Sequence, residues 1–197
     1  MKANDPVLIQ DHFRKLRALQ KNYDITDCNI YNMDEKGFKQ GISDRAKVIC
    51  LRRPKGMTGK VAMDGERELI TMVETISGDG IVLPPLVIYK GAGYYMGWYQ
   101  HIEKLGCEEW RFAYSPKGWT SSYLSLEWLK HFDDFTAQRN KNSAYRCLIV
   151  DSHGSHVTIE FIEYALSHNI IVYYLPSHST HLLQPLDIEL FSPLQKA

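Results

Sequence analysis

Residues Tyr145 to Asp151 read Tyr-Arg-Cys-Leu-Ile-Val-Asp, an almost unbroken apolar run that ends in a carboxylate. Such a run is what a central strand of a mostly parallel sheet requires, because both of its faces are covered. Asp151 then emerges at the carboxyl end of the strand, where open α/β sheets place their chemistry. A polar turn follows, Ser152-His153-Gly154-Ser155-His156, and leads into a helical pattern. An Asp delivered to such a turn needs partners elsewhere in the chain.

At 197 residues the chain is long enough for one domain with a substantial core. No apolar run is long enough to span a bilayer, and the opening residues lack the apolar centre of a secretory signal, so an intracellular protein with no membrane role is expected. Cys28, Cys50, Cys107 and Cys147 are scattered without a C-x-x-C pair, which favours reduced thiols. Lys plus Arg total 23 and Asp plus Glu total 23, so the net charge says nothing of nucleic acid. The distribution of charge says more. Arg45, Lys47, Arg52, Arg53, Lys55 and Lys60 occur with no acidic residue between the first and the last. This patch reads either as a phosphate-holding surface or as a solvated loop.

Along the chain, Asp5-Pro6 opens a helix, with Asp as N-cap and Ile9, Phe13, Leu16 and Tyr23 on one face. Cys28 to Asp34 reads as the first strand, with Ile30, Asn32 and Asp34 on one side. Glu68–Ser77 and Ile81–Tyr89 form a hairpin through Ser77-Gly78-Asp79-Gly80, with Pro84-Pro85 signalling an edge or a bulge. Lys90 to Ser122 is irregular and rich in Gly, Tyr and Trp; its aromatics, Trp119 among them, either cap the core or stack on bases. Ser125 caps a helix running to Arg139, on which Asp133-Asp134 reads as a solvated face. The central strand, a helix containing Val157, Phe161, Ala165 and Leu166, and a strand from Ile170 to Leu175 come next. Pro185 starts a final helix with Asp187 in its first turn. The order β, β-hairpin, α, β, α, β, α implies a ribonuclease H-like α/β fold, a mixed five-stranded sheet with helices on both faces.

In that topology the first strand lies beside the central one, so Asp34 and Asp151 converge at one end of the sheet and Asp187 closes the cluster. Three acids with no interleaved Lys repel one another unless divalent cations neutralise them, and oxygen-only ligands favour Mg²⁺ or Mn²⁺ over zinc. Two such ions about 4 Å apart clamp the attacking and leaving oxygens of a phosphodiester displacement.

The segments Tyr31 to Phe38, Leu148 to His156, and Leu175-Pro176 with His181 to Asp187 closely resemble the catalytic domain of pogo/Tigger-type transposases, in particular forms abundant in fungal genomes. Gly80 to Pro85, Gly118-Trp119 and Glu127-Trp128-Leu129 extend the resemblance over nearly the whole chain. The interval from Asp151 to Asp187 suits an Asp-Asp-Asp member of the Tc1/mariner-like superfamily. The resemblance implies a DDE endonuclease that cuts at terminal inverted repeats and joins the freed 3′-hydroxyl to target DNA. It casts Asp34 as the bridge between two metal ions, with Asp151 and Asp187 each completing one ion's shell. It also implies a nuclear protein that self-associates in a transposition complex. Residues 1–24 become a helical linker from a missing upstream DNA-binding region, and residues 25–197 the catalytic domain with a shortened final helix.

The same residues admit other readings. Glu35 and Glu189 neighbour two of the acids but point away from them. His153, His156, His178 and His181 form two H-x-x-H pairs without nearby cysteines, so they suit hydrogen bonds to the carboxylates or the phosphate path better than structural zinc. Asp151, Ser152 and His153 sit on one turn and cannot act on each other as a hydrolase triad does. The alternative from another class is a domesticated or decayed transposase-derived module, like centromere protein B-like relatives, that binds nucleic acid without catalysis.

Overall fold

The apolar run is a strand, Arg146–Val150, buried at every position and lying inside a six-stranded sheet in the computed structural model. The structure describes residues 5–39, 69–94, 106–140, 144–151, 154–176 and 180–186. In chain order the elements are α1 (Pro6–Tyr23), β1 (Ile30–Lys39), β2 (Leu69–Ser77), β3 (Leu86–Lys90), β4 (Arg111–Ser115), α2 (Ser122–Arg139), β5 (Arg146–Val150), α3 (Ile159–Ser167), β6 (Ile170–Tyr174) and the short α4 (Thr180–Leu183). The sheet order is β4-β3-β2-β1-β5-β6. β2 runs antiparallel to both β1 and β3, while β1 with β5, β5 with β6 and β3 with β4 are parallel.

Strand parity sorts the side chains into two cores. Tyr31 and Met33 of β1 and Leu148 and Val150 of β5 face α2 and α3, where they meet Trp128, Leu129, Phe132, Phe161 and Ala165. The opposite face carries Cys147 and Ile149, with Leu16 and Leu19 of α1 and Leu183 of α4 packed around them. Helices therefore cover both faces, as the element order implied.

Five details differ from the sequence reading. The sheet has a sixth strand, β4, inside the stretch read as irregular. Its burial alternates only in its second half, with Ala113 and Ser115 buried around an exposed Tyr114, while Arg111 is exposed. Five residues of that kind leave little periodic signal, and the strand exists because β3 offers it a free edge. β3 is accordingly an interior strand. Pro84-Pro85 mark a bulge: Ile76 bridges Val82, but Val73 pairs with Leu86, so one extra residue enters on the β3 side. β1 starts later and runs on past Asp34 to Lys39, held by β2.

The face α1 buries is set by His12, Leu16 and Leu19, while Phe13 and Tyr23 stay about half exposed. The α2 N-cap is Ser121, whose Oγ accepts from the Leu124 amide, and Ser125 is buried one turn in. Asp133, read as solvated, is buried: Arg146 lies 2.6 Å away, and the Tyr164 hydroxyl donates to the same carboxylate at 3.1 Å. Its neighbour Asp134 is exposed, as expected.

Candidate active site at the end of the parallel strands

β1 and β5 run parallel with Asn32 beside Ile149. Two residues further along each strand stand Asp34 and Asp151, so the two acids sit level where β5 ends and β1 continues. A cavity of about 210 Å³ opens there, lined by Asp34, Glu35, Trp119, Thr120, Asp151 and His156. Asp34 is buried, and about a third of the Asp151 side chain is exposed (37%).

Behind the acids lies a chain of hydrogen bonds. His156, in a 3₁₀ turn after β5, is 1% exposed. Its Nδ1 is 3.2 Å from Asp151 Oδ1 and its Nε2 is 3.1 Å from Glu35 Oε1. The other Glu35 oxygen accepts from the Thr120 hydroxyl at 2.6 Å. Burial by itself pulls the imidazole pKa down, but the Asp151 and Glu35 carboxylates outweigh it and hold the ring at about 9. The ring therefore sits as an imidazolium between two carboxylates, and Tyr174 fixes the turn by donating to the His156 carbonyl at 2.6 Å.

These contacts decide several of the sequence expectations. Glu35 was expected to point away, and it does alternate with Asp34 along β1, yet it lines the same cavity, with one oxygen on His156 and the other on Thr120. The expectation that His156 touches DNA is corrected: the ring is buried and both nitrogens are used within the protein. The same engagement leaves His156 no nitrogen for zinc.

The segment leading to the third acid is tied to the same strand. Gln184 is fully buried; its amide nitrogen donates to the Met33 carbonyl at 2.9 Å, and its oxygen accepts from Asn32 Nδ2 at 3.1 Å. The Leu186 amide in turn donates to Asn32 Oδ1 at 3.3 Å. Asn32 thus binds the backbone of the residue immediately before Asp187, two positions upstream of Asp34.

Asp187 itself lies outside the described residues, as do Glu189, Arg45, Lys47, Arg52, Arg53, Lys55, Lys60, His153, His178 and the His181 side chain. Among the described residues no group of three or more His, Cys, Asp or Glu side chains is arranged to hold a metal. The pair that is described offers oxygen donors alone, the set that suits a hard divalent cation.

Asn32, Thr120 and Gln184 are site residues to which the sequence reading gave no role; Glu35 was set aside in favour of the aspartates, and Trp119 was read only as a core cap or a stacking surface. Each sits within or beside a motif that carried the resemblance, and that adjacency was the available signal.

A sequence profile described as DDE superfamily endonuclease matches residues 66–197. The chain belongs to this family. Asp151 and Asp187 fall inside the matched stretch, and Asp34 lies upstream of it. The DDE domain has the fold of the Mos1 transposase catalytic region. The mariner Mos1 paired-end complex with Mg aligns with a TM-score of 0.60 at 12% identity, over 96% of this chain and 48% of that one. The Mos1 paired-end complex with left transposon end gives 0.57 at 13% identity, over 97% and 48%. The isolated Mos1 catalytic domain with Raltegravir and Mg gives 0.55 at 12% identity, over 95% and 69%.

A protein of Cochliobolus lunatus named MFS-type transporter clz9 is 35% identical over 175 residues, which make up 89% of this chain and 18% of that protein. The DDE domain thus spans under a fifth of that relative and about half of the Mos1 chains in the paired-end complexes. No described helix is long and apolar enough to cross a membrane.

Proposed function

We propose that this domain is a divalent-metal-dependent DNA endonuclease that also joins the freed 3′-hydroxyl to target DNA, with Asp34, Asp151 and Asp187 as its metal-holding acids. The observation that carries the reading is that Asp34 and Asp151 line one cavity where β5 ends beside β1. The hydrogen bonds from Gln184 and Leu186 to β1 support Asp187 as the third acid, because they bring its neighbour to the strand that bears Asp34.

Bound Mg²⁺ or Mn²⁺, two ions in the full site, would supply the Lewis acidity that activates the attacking oxygen and stabilises the leaving one. The chain's own residues do the rest. His156 fixes the Asp151 carboxylate, and Glu35 with Thr120 fixes His156. Arg45, Lys47, Arg52, Arg53, Lys55, Lys60 and His153 are assigned to the DNA backbone on charge and motif position. The Mos1 complexes with transposon ends support transposon inverted repeats and target DNA as partners, and self-association in a transposition complex. The same reading keeps residues 1–24 as a helical linker and 25–197 as the endonuclease domain, although Leu16 and Leu19 of α1 pack on the sheet. A DNA substrate of this kind assigns the protein to the nucleus.

The test is nicking of supercoiled plasmid by the purified chain in Mn²⁺, Mg²⁺ or EDTA. Nicking is expected with either metal, none in EDTA, and a loss of about 100-fold or more in Asp34→Asn and Asp151→Asn. Exposed Glu163→Gln serves as the control. Metal-independent nicking, or equal activity of Asp151→Asn and the control, overturns the reading. DNA binding that falls on charge reversal of Arg52 and Arg53, with nicking absent throughout, supports the non-catalytic module instead.

A further inference from the structure

At the bulge before β3 a second cavity opens, of about 570 Å³, more than twice the volume of the one at Asp34 and Asp151. That size falls within the range of about 300–1,000 Å³ typical of ligand sites. Its origin is local. The Leu83 amide still donates to the Thr75 carbonyl at 2.9 Å, but Pro84 and Pro85 have no amide hydrogen to give, and regular pairing with β2 resumes only at Leu86. Facing the bulge is the turn at 107–110, closed by the Trp110 amide on the Cys107 carbonyl at 3.1 Å. The Arg111 amide ties that turn to the Pro85 carbonyl at 3.0 Å, so backbone hydrogen bonds anchor both walls.

Met72, Leu83, Pro84, Pro85, Trp110 and Phe135 make the walls apolar. Set among them are three carboxylates, Glu74, Glu108 and Glu109, and no Lys or Arg is among the lining residues. The three acids are not alike. Glu108 and Glu109 are exposed on the turn, where water and salt screen them. Glu74 projects from the middle of β2 and is partly buried. It has no hydrogen bond or ion pair with another described residue, and burial holds its pKa above the usual carboxylate value. The β1–β2 register sets it opposite Asp34, yet Glu74 lines this cavity and Asp34 lines the other.

A carboxylate half withdrawn from water without a cation destabilises the free protein. A guanidinium or ammonium from outside would offset that. The apolar walls suit the hydrocarbon stem of such a side chain, together with an apolar neighbour, better than a bare cation. The indole of Trp110 adds a surface that attracts cations. Glu108 and Glu109 draw a positive partner in from a distance and repel nucleic-acid phosphate, so the charge of the cavity selects protein over DNA.

We propose that the cavity at the Pro84-Pro85 bulge is a docking site for a partner protein, which places an arginine or lysine against Glu74 and an adjacent apolar side chain against Pro84, Pro85 and Trp110. The site is independent of the nuclease reading, and its occupancy is measured without DNA.

Random heptapeptides displayed on phage are selected on the full chain, and an enriched sequence is synthesised with a fluorophore and titrated by anisotropy. Enriched peptides are expected to join a basic residue to an apolar neighbour. Glu74→Gln, which keeps the shape and removes the charge, is expected to weaken binding about tenfold or more, and replacing the peptide's apolar residue by Ser to do the same. Glu108→Gln with Glu109→Gln is expected to weaken it less and to flatten its dependence on salt. Because Glu74 is unpaired in the free chain, Glu74→Gln is also expected to raise the melting temperature by about 2 °C, the sign opposite to that of an acid held by an internal partner. No enrichment, enrichment of peptides without a basic residue, or affinity for Glu74→Gln within about twofold of wild type overturns the proposal. A lowered melting temperature in Glu74→Gln overturns it as well. Binding that survives loss of the peptide's apolar residue would reduce the site to a general attraction of cations, which also overturns it. Self-association of the free chain that Glu74→Gln abolishes would seat a second copy in the cavity and overturn the assignment to a partner protein.

Discussion

Asp151 Oδ1 stands 3.2 Å from His156 Nδ1, and the same imidazole reaches Glu35 through its other nitrogen at 3.1 Å. A buried ring between two carboxylates orients Asp151 from behind and leaves its exposed edge to the cavity. Removing the ring leaves two carboxylates facing each other in a poorly solvated space. His156→Ala is expected to cost about 2 kcal/mol in urea unfolding, together with a fall in nicking larger than the stability loss explains. Thr120→Val, which frees one Glu35 oxygen, is expected to do the same more weakly.

Gln184 ties the last described segment to β1 through two side-chain bonds while fully buried. Gln184→Leu keeps much of the volume and loses both bonds, leaving the Met33 carbonyl and the Asn32 amide without those partners. A destabilisation of about 1–3 kcal/mol is expected, with faster amide exchange at Leu186 than in β6. Unchanged exchange at Leu186 would show that the segment is held by other means.

Arg146 opens β5 from a fully buried position, paired with Asp133 at 2.6 Å and donating to Thr136 Oγ1 and the His168 carbonyl, each at 2.7 Å. Arg146→Ala strands Asp133 in the core and is expected to cost about 3–5 kcal/mol. The more exposed pair Arg139–Asp79, at 2.8 Å, is expected to contribute under about 1 kcal/mol on Arg139→Ala. Urea denaturation of the two variants side by side checks the contrast. Arg146→Lys should not rescue, because one ammonium cannot replace the forked guanidinium.

His12 is buried where α1 meets the sheet, with the Tyr173 hydroxyl donating to its carbonyl at 3.1 Å, and burial lowers its pKa below the usual 6.5. The unfolded chain therefore takes up a proton on acidification that the folded chain resists. The stability tied to neutral His12 is present above about pH 6.5 and is lost as pH falls below it. Thermal melting at pH 7.5 and 5.5 should show a smaller acid-induced drop in His12→Gln than in wild type. An equal drop would place the acid sensitivity elsewhere.

The strands β5 and β6 were legible because each reads as a buried apolar run closed by a turn signal. Their parallel pairing followed from the helical crossover between them, and α1 followed from its Asp-Pro start. Asp133 was misjudged because nothing local separates it from Asp134. Only the arrival of Arg146 and Tyr164 from elements beyond α2 makes one acid a core residue and leaves the other in solvent. β4 was missed because its five residues become a strand only when β3 is present to pair with it.

The residue types and their spacing determined the layered α/β class, the central strand and the acids at its end, since those depend on periodicity and on turn chemistry carried within a few residues. Tertiary structure alone decided that Glu35 and Asp151 share His156, that Asn32 holds the approach to Asp187, and that Trp119 stands at the rim of the same pocket. The bonds Thr120–Glu35, His156–Glu35 and Leu186–Asn32 join residues 85, 121 and 154 positions apart. Hydrogen bonds across such intervals exist only once the sheet has set its register, because local sequence preferences carry no information about which distant strand will lie alongside.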